Sequence, residues 1–193
     1  EGRHFLPSIS KELESGLPSY DLECSVHAPL SDVNIGSLNP RMREAAMREI
    51  LVTIECTGAL GLGPLTVHPG FYSPLGQMDK EGARRKTQES LRAIERAAQE
   101  HGVVIAVENM PAMPISMATT PSALLDLLES TELGICFDIG HANTTHNIED
   151  YLPLLPRFRN MHVHDNHGER DQHLVIGEGN IPFPSILGRM DGY

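Results

Sequence analysis

Five short apolar segments of this chain each run into a side chain able to bind a metal ion. Cys24-Ser25-Val26 leads to His27, Leu65-Thr66-Val67 to His68, and Val103-Val104-Ile105-Ala106-Val107 to Glu108. Gly134-Ile135-Cys136-Phe137 leads to Asp138, and a fifth segment at Met161 runs through His162 and His164. Short apolar or β-branched runs of this kind suit strands buried on both faces, as in a parallel sheet. Helical patterns fall between them. Asn39-Pro40 reads as an N-cap and first-turn proline opening a helix with Met42, Ala46, Ile50, Leu51 and Ile54, and Gly58 reads as its stop. Asp79 can cap a helix carrying Leu91, Ile94 and Ala98 and closed at Gly102. Thr120-Pro121 opens another with Leu124, Leu125, Leu127 and Leu128, closed before Gly134. Ile148 to Leu155 reads as a short helix broken by proline.

Strand followed by helix, repeated, describes βα units of roughly 25 to 40 residues. A doubly wound open sheet gathers its ligands near one switch point. Here every strand ends in a ligand-type residue, the distribution found at the active face of a (β/α)8 TIM barrel. Such a barrel takes about 250 residues. The 193 residues therefore read as a single metal-binding TIM-barrel domain over residues 1–193, an α/β fold lacking N-terminal strands and the last strand. Glu1, rather than Met, at the first position fits a fragment of a longer chain.

The densest ligand chemistry lies between Asn160 and Asn180. Four histidines and two aspartates fall within the twelve residues from His162 to His173, beside a short apolar strand and among Gly168, Gly177 and Gly179. Imidazole nitrogen with carboxylate oxygen is the donor set of Zn²⁺, Mn²⁺ and similar ions. Glu108 follows five apolar residues, where an unpaired buried carboxylate would be costly. His4, His101 and His146 read as surface histidines, and Glu178 as loop, with its flanking glycines pointing to a close backbone approach. The Met110, Met113 and Met117 series reads as core or lid filler, and Arg84-Arg85-Lys86 as a solvated helix face.

Composition narrows the partners. No apolar run approaches the ~18 residues of a membrane span, so no membrane association is expected. Cys24, Cys56 and Cys136 are odd in number and lack CxxC spacing, which points to a reducing, cytoplasmic setting. A net charge of −11 disfavours polyanionic partners, and 5% aromatics with no Trp argue against a base-stacking surface. Nothing in the sequence speaks to oligomeric state.

Taken in order, His68-Pro69-Gly70, Glu108-Asn109, Asp138-Ile139-Gly140-His141, Met161-His162, Asp171-Gln172-His173 and Gly177-Glu178-Gly179-Asn180-Ile181 resemble the xylose-isomerase-like TIM-barrel superfamily. That group includes endonuclease IV and the sugar-phosphate isomerases and epimerases. Resemblance to endonuclease IV implies a centre of up to three Zn²⁺ and hydrolysis of phosphodiesters in abasic duplex DNA. His27, His68 and Glu108 would bind one ion, and Glu108 would bridge to a second shared with Asp138 and His162. His141, Asp171 and His173 would hold the third. A ninth ligand, a glutamate, is expected beyond Tyr193. Glu108 and His162 are the expected catalytic residues, with Asn109, His164 and Asp165 expected to bind substrate. Resemblance to the isomerases and epimerases implies instead one Mn²⁺, Mg²⁺ or Co²⁺ on Glu108, Asp138 and His162, with a small sugar or sugar phosphate as substrate. Two features depart from endonuclease IV. Asn109-Met110-Pro111-Ala112-Met113-Pro114 stands where that family has a small, Gly-rich segment, and Leu30 stands where it presents an aromatic to DNA.

Overall fold

The computed structural model describes residues 6–190, so His4 lies outside the described residues. Helix α1 (Leu6–Gly16) and a 3₁₀ turn (Leu17–Ser19) precede β1 (Val26–His27), and α2 (Pro40–Ala59) leads to β2 (Leu65–Val67). Then come α3 (Pro74–Met78), α4 (Lys80–His101), β3 (Ile105–Glu108), α5 (Pro121–Leu127) and β4 (Gly134–Asp138). Helix α6 (Ile139–Thr144) follows directly, then α7 (Ile148–Tyr151), a 3₁₀ segment (Leu152–Arg157), β5 (Phe158–His162) and α8 (Phe183–Leu187).

The five strands form one parallel sheet in the order β1-β2-β3-β4-β5. Strictly sequential order rules out the doubly wound alternative, whose order reverses at a switch point. The sheet is also strongly curved. The rings of His27 on β1 and His162 on β5, at opposite edges of the sheet, stack with centroids 5.6 Å apart. Asn160 Nδ2 on β5 donates across the concave face to Thr66 Oγ1 on β2 at 3.0 Å. Five strands so curved form a half-barrel.

The apolar segments are strands for the expected reason in the middle of the sheet. β2, β3 and β4 are buried at every residue, whereas the edge strands β1 and β5 are partly exposed. Leu65, Val67, Ile105, Val107, Ile135 and Phe137 join Ile50, Ile54, Leu91 and Ile94 of the helices in one core. Phe137 stacks on Phe158 at 4.9 Å and lies 5.3 Å from Tyr151, tying β4, β5 and α7 together.

The expected helix ends are largely present. Asn39 caps α2 through Arg41 and Met42 N–H, Asp79 caps α4 through Gly82 N–H, and Thr120 caps α5 through Ala123 N–H. Gly102 closes α4 with φ 67°, a left-handed conformation that glycine adopts without strain. Gly58, expected to stop α2, lies inside it, and the helix runs on to Ala59. Its glycine answers to packing: a Cβ there would sit 2.5 Å from the His101 carbonyl oxygen at the end of α4. Arg84 pairs with Asp126, Arg85 with Glu81 and Lys86 with Glu89, so the small basic run is a charge-paired helix face. Among the described residues no helix is long and apolar enough to cross a membrane.

Gly58→Ala therefore has opposing effects. Alanine gains about 1 kcal/mol of helix propensity, but overpacking against α4 costs about 1–3 kcal/mol. A lowered denaturation midpoint is expected in urea unfolding. A raised midpoint would mean that the α2–α4 contact has slack.

Candidate metal centre

The C-terminal ends of all five strands meet at one mouth, where a cavity of about 670 Å³ opens. Glu108, the last residue of β3, sits at its floor with only 2% of its side chain exposed. Its Oε2 faces His68 Nε2 at 3.0 Å and His27 Nε2 at 3.4 Å, and its Oε1 faces His162 Nδ1 at 2.8 Å. Asp138, ending β4, turns Oδ2 toward His141 Nδ1 and His162 Nδ1, both at 3.7 Å. Beyond it, Asp171 Oδ2 lies 3.3 Å from His141 Nε2 and 3.2 Å from His173 Nε2, and Oδ1 lies 3.4 Å from His164 Nε2.

These contacts suit cations better than hydrogen bonds. His27 Nδ1 lies 2.8 Å from the Ala28 carbonyl and His141 Nδ1 lies 2.7 Å from the Asn109 carbonyl. A carbonyl only accepts, so each Nδ1 carries its hydrogen and, in the neutral ring, each Nε2 presents a lone pair. Those lone pairs face carboxylate oxygens, a repulsive arrangement unless a proton or a cation lies between. Glu108 Oε2 is buried without a hydrogen-bond partner despite its two imidazole neighbours, and both nitrogens of His164 are likewise unpartnered. A buried carboxylate oxygen left so is costly, and a shared metal relieves it. His27 with His68 and Glu108 is one group whose donor atoms lie within 4.8 Å of one another; His141, His164, Asp171 and His173 form another. The donors are N and O, fitting Zn²⁺ and its borderline relatives. Cys136 also approaches Glu108 and His162, but burial and the nearby Glu108 charge push its thiol pKa far up and keep it protonated.

Electrostatics follow the same geometry. Burial opposes the charge on Glu108, but the hydrogen bond with His162 and the close approach of the His27 and His68 imidazoles outweigh it and hold the carboxyl well below the usual range. Burial likewise opposes the charge on Asp171, and His141 prevails, lowering its pKa. For His141, burial disfavours the cation, yet Asp171, Asp138, Glu108 and the Asn109 carbonyl together push its pKa up to about 9.

All eight expected metal ligands, His27, His68, Glu108, Asp138, His141, His162, Asp171 and His173, line this cavity. Of the expected substrate-binding residues, only His164 does. Asn109 is buried, with Oδ1 accepting from Asp138 N at 2.8 Å and Nδ2 donating to the Asp138 carbonyl at 2.9 Å. It clamps β3 to β4 and has no atom left for substrate. Asp165 is fully buried, and its carboxylate accepts from Asn166, Gly177, Gly179 and Ile181 N–H. It holds the glycine loop in place. A backbone bridge between Asp165 and Leu174 closes the segment that carries Asp171 and His173. Gln172 Oε1 accepts from His167 N–H, keeping His167 outside the cavity. Leu30, Met110, Pro111 and Met113 form its apolar wall, while Met117 lies buried in the core. His101 and His146 are exposed, as expected.

A sequence profile described as a xylose isomerase-like TIM barrel matches residues 4–193. The chain belongs to this family. Within it, an uncharacterised protein of Methanocaldococcus jannaschii is 36% identical over 198 residues, covering 98% of this chain and 68% of that protein. A solved structure titled a D-tagatose 3-epimerase-like protein superposes with a TM-score of 0.93 at 36% identity, covering 98% of this chain and 74% of that one. A probable endonuclease 4 of Staphylococcus carnosus is 28% identical, covering 83% of this chain and 59% of that protein. The chain thus spans roughly six to seven tenths of the relatives it matches. The xylose isomerase-like resemblance read from the strand-end motifs agrees with this family.

The raised pKa of His141 carries a signed prediction. Its folded value of about 9 exceeds the ordinary 6.5. In the metal-free chain, its stabilising contribution is full below about pH 6.5 and is lost as pH rises through about 9. A metal must displace that proton, so affinity at this group should climb with pH up to about 9 and binding should release a proton. Zinc titration against a competing chelator between these pH values checks both. Affinity independent of pH would show that His141 is not a ligand.

Proposed function

We propose that this protein is a metal-dependent phosphodiester hydrolase of the endonuclease IV kind, with a centre of up to three divalent ions, zinc foremost. One observation carries the reading: eight donor side chains, from five strand ends, helix α6 and one loop, face a single cavity. A one-ion isomerase site of the kind the family resemblance implies would use far fewer. Bound there, divalent ions would bring a water's pKa toward neutrality and offset charge on phosphoryl oxygens.

The chain's own residues supply the rest. Glu108 directs its two oxygens to different imidazoles, Oε2 to His27 and His68 and Oε1 to His162, which suits a carboxylate bridging two cations. His27 and His141 are fixed by carbonyl acceptors so that Nε2 is the coordinating atom. Asp138 does two jobs: Oδ1 caps α6 through His141 N–H at 2.7 Å and so orients His141, while Oδ2 remains for coordination. The apolar wall of Leu30, Met110, Pro111 and Met113 excludes water from one side of the reacting group. Abasic duplex DNA is the substrate to try first. The net charge of −11 predicts weak DNA binding that fades steeply with salt.

A second reading has its own support. Among the described residues no Lys or Arg lines the cavity, and its volume suits a small ligand. With the likeness to a D-tagatose 3-epimerase-like protein, this favours sugar epimerisation or isomerisation. Glu108, Asp138 and His162 would then hold a single Mn²⁺, Mg²⁺ or Co²⁺, and the remaining histidines would contact sugar hydroxyls.

The full-length, zinc-loaded protein is expected to nick duplex DNA at abasic sites, with nicking lost on chelation. Glu108→Gln preserves shape but loses the bridging charge. It should lower activity more than about 100-fold, beyond the 10–100-fold typical of disturbing a residue that only supports a ligand, while cooperative unfolding persists. If abasic DNA is untouched and a ketose exchanges its C2 or C3 proton with solvent deuterium in a metal-dependent way, the epimerase reading replaces this one.

A further inference from the structure

His164 was expected to touch substrate, and its surroundings are those of a metal ligand. The side chain is only 9% exposed, and neither ring nitrogen has a hydrogen-bond partner. Its ring lies flat on that of His173, centroids 3.9 Å apart and planes 8° from parallel. It also meets the His141 ring edge-on at 5.8 Å. Three imidazole Nε2 atoms, from His141, His164 and His173, therefore stand 3.2–3.4 Å from the two oxygens of one carboxylate, Asp171. Nε2 of His164 is also 3.2 Å from Asp138 Oδ1, but that oxygen already accepts the His141 N–H and the pair is not aligned as a hydrogen bond. Room for the ring is built into the backbone. At Gly140, in the first turn of α6, any Cβ would overlap the His164 imidazole.

We propose that His164 is a fourth protein ligand to the cation that His141, Asp171 and His173 would hold, completing a three-imidazole, one-carboxylate donor set suited to Zn²⁺. This rests on the reading above that the cavity holds several metal ions. Four protein ligands are the mark of a structural zinc site, whereas catalytic sites keep a position open for water or substrate. The distal ion would then anchor the exposed Asp171–His173 loop to α6 and to the segment just past β5, leaving the Glu108-bridged sites as the ones open to substrate.

The test uses the full-length protein and cobalt as probe. Wild type loaded with Co²⁺ is expected to show the intense visible absorption of a four-coordinate ion. His164→Gln should abolish that band and weaken one ion, and only one, by more than about 100-fold, exceeding the loss typical of a supporting residue. Gly140→Ala, which displaces the ring while retaining every other ligand, should act in the same direction. It also carries the test if His164→Gln does not fold. If the band and the affinity of every ion are unchanged in the folded variant, the proposal is overturned while the multinuclear reading stands. Binding of a single ion or none by the wild type would sink both.

Discussion

Everything at the mouth of this half-barrel depends on a buried carboxylate ringed by imidazoles. Glu108 is nearly inaccessible, carries its charge, and has one oxygen for which the protein supplies no hydrogen. Two of its neighbours, His27 and His162, come from the opposite edges of the sheet. Such a buried group is costly unless cations complete it. Metal binding and sheet curvature are therefore coupled: the curvature brings β1 to β5, and a shared ion would hold them there. The supporting contacts serve the same end, with Asn109 locking Asp138 and His141 to β3, and Asp165 fixing the loop beneath Asp171 and His173.

Much of this was legible in the sequence because two simple patterns coincide. Apolar runs mark the strands, and a ligand-type residue at each run's end marks the face where they meet. The starts of three helices were legible from their capping side chains, Asn39, Asp79 and Thr120. Gly58 shows the limit: a helix stop and a close helix crossing both call for glycine, and only the position of His101 separates them. The short α3, α6 and α8 were not read either, since five or six residues give no apolar periodicity.

The candidate site was legible in its His, Asp and Glu side chains and less so in the groups that support them. Asn109 and Asp165 are polar residues beside ligands, and sequence alone does not tell whether such a group faces substrate or backbone. Gly179 did signal a close approach, since a Cβ there would overlap Asp165, whereas Gly177 answers to a backbone φ of 95°. The setting of His164 was hidden for a different reason. Strand alternation puts it on the same side as His162, but β5 ends at His162, and only the space above Gly140 turns the His164 ring into the distal group.

The competing functions differ in one physical quantity, the number of cations the cavity needs in order to neutralise Glu108, Asp138 and Asp171. A phosphoryl reaction uses several, and a proton shift on a sugar uses one. Anomalous scattering at the zinc edge, from crystals of the zinc-loaded full-length protein, counts and locates them directly. Three peaks are expected: one beside His27, His68 and Glu108, one among Glu108, Asp138 and His162, and one amid His141, His164, Asp171 and His173. A single peak beside Glu108, Asp138 and His162 would contradict the multinuclear centre.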